Sequence, residues 1–200
     1  MCTLLYIKAN PKSNEESRTF RISEQFIDAY KQSHPEDNII TIDLYKDDVY
    51  FLSEEAVKMH VTSPGEGKEH PILKYAYQFL EADKYVFAEP LWNLSIPSIL
   101  KAYIDYITFS DITFKYTAEG PVGLCQGKKA MNITTRGGGY SEGAFASYEM
   151  GDRYLRTILG FLGVADFTTI VAENLDMIGT DIESVVGAAI QEAQNVAKSF

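Results

Sequence analysis

Cysteine and histidine are scarce in this sequence, and their scarcity argues against two kinds of site. Only Cys2 and Cys125 are present, far apart along the chain, so they form neither a Cys-x-x-Cys motif nor a disulfide framework. The three histidines, His34, His60 and His70, make no pair at metal-binding spacing. We therefore expect a reduced, cytoplasmic protein without a metal centre.

A long apolar run is also missing, and so is an excess of positive charge. No segment predicts a signal peptide or a membrane span. The chain has 18 Lys and Arg residues against 28 Asp and Glu residues, which gives a net charge of -10. Because a nucleic acid binds to a positive surface, this charge argues against a nucleic-acid partner.

What the sequence does contain is an alternation of apolar strands with helical patterns. We predict strands over 4–9, 38–44, 84–89, 129–135 and 165–173. This alternation predicts an α/β fold, with a doubly wound parallel sheet covered by helices on both faces. We expect a single domain over residues 1–200. In the common strand orders of such sheets, ligands bind beyond the carboxyl ends of the strands.

Helix positions are predicted from apolar periodicity and end signals. A helix is expected over about 69–82, and Pro97 is expected inside the first turn of the next helix. The segment Thr180–Glu183 reads as a capping box before the last helix. Residues 45–68 form an irregular excursion with a short helical piece over 53–60 and the turn sequence SPGEG, and such excursions are often functional.

The loop after the first strand, NPKSNEESRT, leads into a helix that begins with Ser17, Arg18 and Thr19. Free N–H groups, the positive end of the helix dipole, hydroxyls and an arginine together favour an anion such as a phosphate. Ser17 alone could equally be an ordinary helix N-cap. The loop lacks the G-x-G-x-x-G and G-x-x-x-x-G-K-[ST] motifs, so it predicts neither a dinucleotide nor a nucleoside triphosphate.

Two further loops follow the third and fourth strands. In PLWNL, the main chain of residues 91–94 could line the edge of a flat heteroaromatic ring, with Trp92 beside it. Trp92 could instead be an ordinary core residue, and Asn93 could close the turn without a ligand. In TTRGGGYSEG, successive glycines allow a ligand to approach the backbone, although a flexible surface loop is the alternative.

The same glycine-rich loop contains a rival motif. Residues 139–143 match G-x-S-x-G, the nucleophile elbow of α/β hydrolases, with Ser141 as the nucleophile. Ser141 lies several residues beyond the predicted strand, however, and no histidine follows it in the sequence. A hydrolase is therefore a minor alternative.

Taken together and in order, several segments resemble one family. They are LLYIKANP, SRT, PLWNLSIPSILKAYID, FKYTAEGPVGL, GKKAMNITTRGG and LRTILGFLGV. The family is that of the FMN-dependent NADH:quinone reductases that also reduce azo compounds, the azoreductases. The resemblance covers nearly the whole chain. It implies a flavodoxin-like fold with strand order 2-1-3-4-5, and a homodimer with one tightly but non-covalently bound FMN per subunit.

The resemblance also implies site residues. The family's phosphate-binding positions correspond to Asn10, Ser17, Arg18 and Thr19. Its flavin-binding positions correspond to Pro90, Leu91, Trp92, Asn93 and Leu94, and to Thr135, Arg136, Gly137, Gly138 and Tyr140. Its aromatic positions around the substrate pocket and the dimer interface correspond to Tyr116 and Phe161. Trp92 replaces a more usual Tyr, and Leu94 replaces a frequent Phe.

The implied reaction is a two-step, ping-pong transfer of hydride through one cavity. NADH reduces the flavin at N5 and leaves, and a quinone or an azo compound then takes its place and is reduced. No side chain is implied to act as nucleophile, acid or base. Donors from the Gly137 and Gly138 backbone and from Tyr140 would stabilise the reduced, anionic flavin. The alternative from another class is a flavodoxin-like single-electron carrier, a role that the acidic composition also suits.

Overall fold

Five strands form one parallel sheet in the computed structural model, which describes residues 1–47, 49–59 and 68–200. The strands are β1 (Thr3–Lys8), β2 (Asn38–Asp43), β3 (Lys84–Pro90), β6 (Lys129–Thr135) and β7 (Asp166–Ala172). Their order across the sheet is β2-β1-β3-β6-β7, and every neighbouring pair is parallel. Numbered within this sheet alone, the order is 2-1-3-4-5. The predicted flavodoxin-like architecture is therefore confirmed.

Helices connect the strands, and a small hairpin is inserted between two of them. The helices are α1 (Arg18–Ser33), α2 (Glu54–Lys58), α3 (Lys74–Glu81), α4 (Ser98–Ile107), α5 (Gly151–Phe161) and α6 (Ile182–Ala197). The hairpin pairs β4 (Phe114–Thr117) with β5 (Gly120–Gly123) in antiparallel fashion, outside the main sheet. No helix within the described ranges is both long and apolar enough to cross a membrane.

Two hydrophobic cores lie on opposite faces of the sheet, and β3 contributes to both. Tyr85 and Phe87 belong to the core formed with α3, α4 and α5. Val86 and Ala88 belong to the core formed with α1 and α6. Successive residues of a strand point to opposite faces, so a strand that is buried on both sides reads as a continuous apolar run. This is why β3 and β6 are recognisable in the sequence.

Two helix starts differ from the sequence-based prediction. Pro97 is the residue before α4 and not part of its first turn, because its ψ of 143° is extended. The helix predicted over about 69–82 begins later, at Lys74, after a short 3-10 turn over Pro71–Leu73 that His70 caps. The fixed φ of proline suits both a first helical turn and the position before it, so the sequence alone does not separate the two.

The start of α6 is also organised differently from the predicted capping box. The N-cap is Asp181 and not Thr180, and its carboxylate accepts the N–H of Ser184. Glu183 does not turn back to the N-cap but pairs with Arg21 of α1 at 2.5 Å. Its side chain therefore joins two helices.

The excursion after β2 contains α2, which Ser53 caps, so the predicted short helical piece is confirmed. Its expected end at His60 and the SPGEG sequence at 63–67 lie outside the described residues.

Candidate functional site

A cavity of about 350 Å³ opens at the carboxyl edge of the sheet. Ligands of doubly wound sheets bind at this edge, and the volume is typical of a small-molecule site. The lining residues are Asn10, Lys12, Glu16, Ser17, Arg18, Thr19, Pro90, Leu91, Trp92, Thr135, Arg136, Gly137, Leu175 and Asp176. The structure thus brings together most residues of the predicted cofactor site. Four predicted residues neighbour the lining residues in the sequence but are not part of the lining: Asn93, Leu94, Gly138 and Tyr140.

One end of the cavity is formed by the start of α1. Ser17 caps this helix, because its hydroxyl accepts the N–H of Phe20 at 3.2 Å, and the amide of Asn10 donates to the same oxygen at 3.1 Å. Within the described residues, the N–H groups of Arg18 and Thr19 have no protein acceptor. Unpaired donors at the positive end of a helix dipole favour an anion. Ser17 is therefore both an N-cap and part of an anion-binding geometry.

The Arg18 guanidinium at this end already faces a carboxylate. Its Nη1 lies 2.8 Å from Oδ1 of Asp176, which belongs to the loop after β7. The N–H of Asp176 donates to the carbonyl of Gly137 at 2.9 Å, so this loop runs beside the glycine-rich loop after β6. The cavity is therefore built from four loops, of which three were predicted from the sequence.

The opposite wall is a tight turn in PLWNL. Trp92 and Ser95 exchange two backbone hydrogen bonds, of 2.9 and 3.0 Å, around Asn93 and Leu94. Both central residues have positive φ, 49° and 70°, which is the geometry of a type I′ turn. Leucine is strained there, and such strain often accompanies a binding function. The N–H groups of Asn93 and Leu94 donate to no acceptor among the described residues.

Trp92 lies on the rim of the cavity and not in either core. Its side chain is 39% exposed, and it lines the cavity together with Pro90 and Leu91. The core interpretation of this residue is therefore wrong. The wall is fixed from behind, because the Leu91 N–H donates to the Thr135 carbonyl at 2.9 Å and the Thr135 hydroxyl bonds the Thr19 hydroxyl at 2.6 Å.

Arg136 has its charge compensated within the protein. The side chain is 5% exposed, and its guanidinium lies 3.5 Å from Oε1 of Glu149 and 3.7 Å from Oε2 of Glu173. Glu149 also accepts the N–H groups of Gly151 and Asp152 at the start of α5. Arg136 thus links the glycine-rich loop to α5 through its side chain, while its N–H donates to the Ala172 carbonyl and its carbonyl accepts the Leu175 N–H.

A buried acid, Glu89, lies at the end of β3, just before the PLWNL turn. Its carboxylate receives a long hydrogen bond of 3.5 Å from the amide of Asn132, whose amide also donates to Asp152 at 3.1 Å. Burial is the main cause that raises the pKa of Glu89 to about 7, and nearby donors and the Arg136 charge offset it only in part. Among the described residues, Glu89 Oε2 and Asn132 Oδ1 have no hydrogen-bond partner. The arrangement favours a neutral carboxyl group.

Two further pairs of predicted residues lie outside the cavity lining, Gly138 with Tyr140 and Tyr116 with Phe161. Gly138 and Tyr140 border a neighbouring, more apolar cavity of about 470 Å³ together with Phe145 and Tyr148. Tyr140 is held there because its N–H donates to Glu173 at 3.0 Å.

Tyr116 and Phe161 are brought together by Phe114. The Phe114 ring lies 5.4 Å from the Tyr116 ring and 4.8 Å from the Phe161 ring, measured between centroids. Phe114 is buried, whereas Tyr116 is 71% exposed on the β4–β5 hairpin. The three form an aromatic group outside the main cavity.

The hydrolase hypothesis finds no catalytic geometry. The hydroxyl of Ser141 donates to Glu173 at 2.9 Å, an acid that also accepts the Ser141 N–H. Of the described histidines, His34 stacks on Tyr30 and His70 caps the 3-10 turn, both remote from Ser141 in the fold. In the part of the chain that the structure describes, no group of His, Cys, Asp or Glu could hold a metal ion.

Sequence reasoning missed four of the lining residues: Lys12, Glu16, Leu175 and Asp176. Lys12 lies within the predicted phosphate loop, but no motif marks it. Leu175 and Asp176 follow β7, whose carboxyl end reaches the same edge as the other strands. That topology is the signal that could have identified the fourth loop.

The strand order, with a cavity at the carboxyl edge that has an anion-binding end, defines a flavodoxin-like protein. Residues 2–197 match the family model described as Flavodoxin-like fold. The FMN-dependent NADH:quinone oxidoreductase 2 of Clostridium acetobutylicum is 64% identical over 200 residues, with 100% of both chains covered. The FMN-dependent NADH:quinone oxidoreductase of Caldicellulosiruptor saccharolyticus is 60% identical over 201 residues, again with full coverage of both. The chain belongs to this family of FMN-dependent NADH:quinone oxidoreductases.

Solved structures agree with this assignment. The azoreductase from Bacillus anthracis str. Sterne superposes with a TM-score of 0.90 at 38% identity and covers 100% of both chains. An FMN-dependent NADH-azoreductase from Bacillus anthracis str. Ames Ancestor, in complex with FMN, gives a TM-score of 0.88 at 29% identity. That match covers 100% of this chain and 99% of the other. These relatives do not favour the single-electron carrier.

Proposed function

We propose that the protein is an FMN-dependent NADH:quinone oxidoreductase that also reduces azo compounds. The observation that carries the proposal is the cavity at the carboxyl edge, lined by the start of α1 with its unpaired donors and Arg18, and by Leu91 and Trp92 next to the type I′ turn. The names of the relatives, which specify FMN, NADH, quinone and azo reduction, support the same activity.

The residues present fit FMN. The N–H groups of Arg18 and Thr19, the Arg18 guanidinium and the Ser17 hydroxyl are donors suited to its phosphate, with Asn10 holding Ser17 in place. Unsatisfied main-chain N–H groups in the turn suit the polar edge of the ring, and the apolar Leu91 and Trp92 side chains suit its face. We assign Pro90, Asn93 and Leu94 to this wall, and Thr135, Arg136, Gly137, Gly138 and Tyr140 to the pyrimidine side.

The chain's own part in the reaction is to bind and orient. When bound, FMN would supply the hydride chemistry from NADH to a quinone or an azo compound, and we propose a two-step, ping-pong order through N5. The turn and the glycine-rich loop would hold the ring, and one substrate at a time would enter the cavity. Backbone donors at Gly137 and Gly138 favour negative charge at the pyrimidine edge. Tyr116 and Phe161 are proposed to border the substrate, and no side chain is proposed as nucleophile, acid or base.

Stopped-flow spectroscopy of the FMN-loaded protein tests this activity. NADH, added without oxygen, should bleach the flavin absorption, and a quinone or an azo dye added afterwards should restore it. Steady-state rates at several quinone concentrations should give parallel double-reciprocal lines, the signature of a ping-pong mechanism. Protein that binds FMN but stays oxidised with NADH would contradict the proposal, and intersecting lines would contradict the two-step order.

We also propose a homodimer with the cavity near its interface. Large apolar side chains are exposed in the PLWNL turn, on the β4–β5 hairpin, and before and at the end of α5: Trp92, Leu94, Tyr116, Phe145, Tyr148, Met150 and Phe161. Exposed apolar groups favour an interaction surface, and a second copy would cover them. Sedimentation equilibrium should give twice the mass of the 22.4 kDa chain, and a monomer at micromolar concentration would refute the dimer.

We further propose a single FMN-binding domain over residues 1–200 and a cytoplasmic location. The sheet draws its strands from the whole chain, between Thr3 and Ala172, and α6 closes the second core. The cysteines Cys2 and Cys125 are both free, which suits a reducing compartment. Fractionation of the producing cells checks the location, and limited proteolysis of the FMN-loaded protein checks the single domain.

A further inference from the structure

Asp176 places a carboxylate where the start of α1 favours an anion. Its Oδ1 lies 2.8 Å from Nη1 of Arg18. The backbone fixes this position, because the N–H of Asp176 donates to the Gly137 carbonyl at 2.9 Å and the N–H of Leu175 donates to the Arg136 carbonyl at 3.2 Å. Backbone hydrogen bonds between the loops after β7 and β6 therefore position the Asp176 carboxylate at the cavity.

Gly137 leaves the room that this carboxylate occupies. A Cβ atom on residue 137 would lie 2.5 Å from Oδ2 of Asp176, which is too close for two such atoms. One carboxylate oxygen thus faces Arg18, and the other lies against the glycine backbone. Gly137 was expected to let a ligand approach the backbone, and it also makes room for the Asp176 carboxylate.

Among the described residues, Lys12 is the one cation of the cavity lining that pairs with no carboxylate. The lining contains Lys12, Arg18 and Arg136 against Glu16 and Asp176. Arg136 is engaged by Glu149 and Glu173. A phosphate that enters this end therefore meets an arginine that is already paired and a carboxylate of its own sign.

We infer that Asp176 competes with the phosphate of FMN for Arg18 and so determines how tightly the protein holds its cofactor; this inference rests on the proposed function. Carboxylate and phosphate oxygens use the same guanidinium donors, and like charges at close range repel each other. Asp176 weakens the binding of the phosphate end and leaves the ring end unaffected. A cofactor without a phosphate does not meet this competition.

The comparison of FMN with riboflavin, which lacks the phosphate, tests the inference without measuring activity. The affinity of the cofactor-free full-length protein for each flavin is measured by quenching of flavin fluorescence. Asp176→Asn keeps the shape of the side chain and removes its charge. We expect its Kd for FMN to fall about fivefold, the equivalent of about 1 kcal/mol for an exposed ion pair. The Kd for riboflavin should stay within about twofold of the wild-type value.

Glu183→Gln is the matched control. Glu183 pairs with Arg21, which lies one turn further along α1, and neither residue lines the cavity. This variant loses an exposed ion pair between the same two regions of the chain, so its ratio of FMN to riboflavin affinity should not change. Arg18→Ala provides the second control. It should weaken FMN binding, and adding Asp176→Asn to it should give a smaller gain than in wild type, because only the repulsion between Asp176 and the phosphate is then left to remove.

The outcomes separate this inference from the proposed function. Wild-type protein that binds neither flavin would remove the proposed function and the inference with it. Wild-type protein that binds FMN, combined with an Asp176→Asn variant of unchanged or lower FMN affinity, would overturn the inference alone. An equal gain for FMN and riboflavin, or a gain that is undiminished without Arg18, would also overturn it.

Discussion

Replacing Glu89 with glutamine should make the protein more stable at alkaline pH and change little in mild acid. Glu89 is fully buried, and burial raises its pKa from 4.5 to about 7. The folded protein therefore keeps a proton on Glu89 at pH values where the unfolded chain has already released it. Because the folded state binds more protons over this range, its stability falls as the pH rises from 4.5 to about 7.

The size of the effect follows from the pKa difference. At about 1.36 kcal/mol per pKa unit, the change from 4.5 to about 7 is worth about 3 kcal/mol, and the wild-type protein carries this penalty in full above pH 7. Glutamine is neutral at every pH and avoids the penalty. Its amide can also donate to Oδ1 of Asn132, which has no partner among the described residues.

Urea denaturation of the cofactor-free protein between about pH 5 and about pH 8.5 measures the effect. Over that range, wild type should lose about 2 to 3 kcal/mol of unfolding free energy relative to Glu89→Gln. Glu192→Gln, at an exposed position of α6, is the control and should stay within about 0.5 kcal/mol of wild type throughout. If the unfolding free energies of wild type and Glu89→Gln changed in parallel with pH, the conclusion that the buried Glu89 carboxyl group is protonated would be wrong.

Three further substitutions test other parts of the structure. Gly123→Ala should lower the unfolding free energy by about 2 kcal/mol, because its Cβ would collide with the backbone at the end of α5. Gly160→Ala is the control: its Cβ would enter open space, so the substitution should stabilise the helix by up to about 1 kcal/mol. Urea denaturation compares the two variants. Asn93→Val should lower the melting temperature and weaken FMN binding, because a β-branched residue is strained at a φ of 49°, while Asn93→Gly should leave both nearly unchanged. Phe114→Ala should destabilise by about 3 to 5 kcal/mol in chemical denaturation and raise the KM for quinones, because the aromatic group loses its centre; an unchanged KM would separate Phe114 from the substrate pocket.

The three central strands of the sheet, β1, β3 and β6, were predictable because they are buried on both faces. β6 matches its predicted bounds, Lys129–Thr135, since its apolar residues are followed directly by Arg136 and three glycines that cannot continue a strand. The start of α1 was predictable for a similar reason, because hydroxyl residues at a helix start cap the first turn. Local chemistry decided both cases.

The features that were missed depend on contacts between distant segments. Asp176 reaches the cavity only because the loop after β7 pairs with Gly137. Nothing in the sequence around Glu89 distinguishes an acid at a strand end from a buried one, and α5 and β6 bury it only in the folded chain. In the same way, Asp181 and Thr180 are both good caps, and the pairing of Glu183 with Arg21 favours the first.

The helix α5 connects the two ends of the site into one rigid piece. Before its first turn, the N–H of Met150 donates to the carbonyl of Leu94 at 2.9 Å, and its last residue is Phe161, packed on Phe114. Its 11 residues span about 16 Å at 1.5 Å per residue. A substitution that tilts the helix to make room beside Phe161 would also move the wall proposed to hold the flavin. Of the two aromatic residues proposed to border the substrate, Tyr116 on the β4–β5 hairpin is therefore safer to vary than Phe161 on α5.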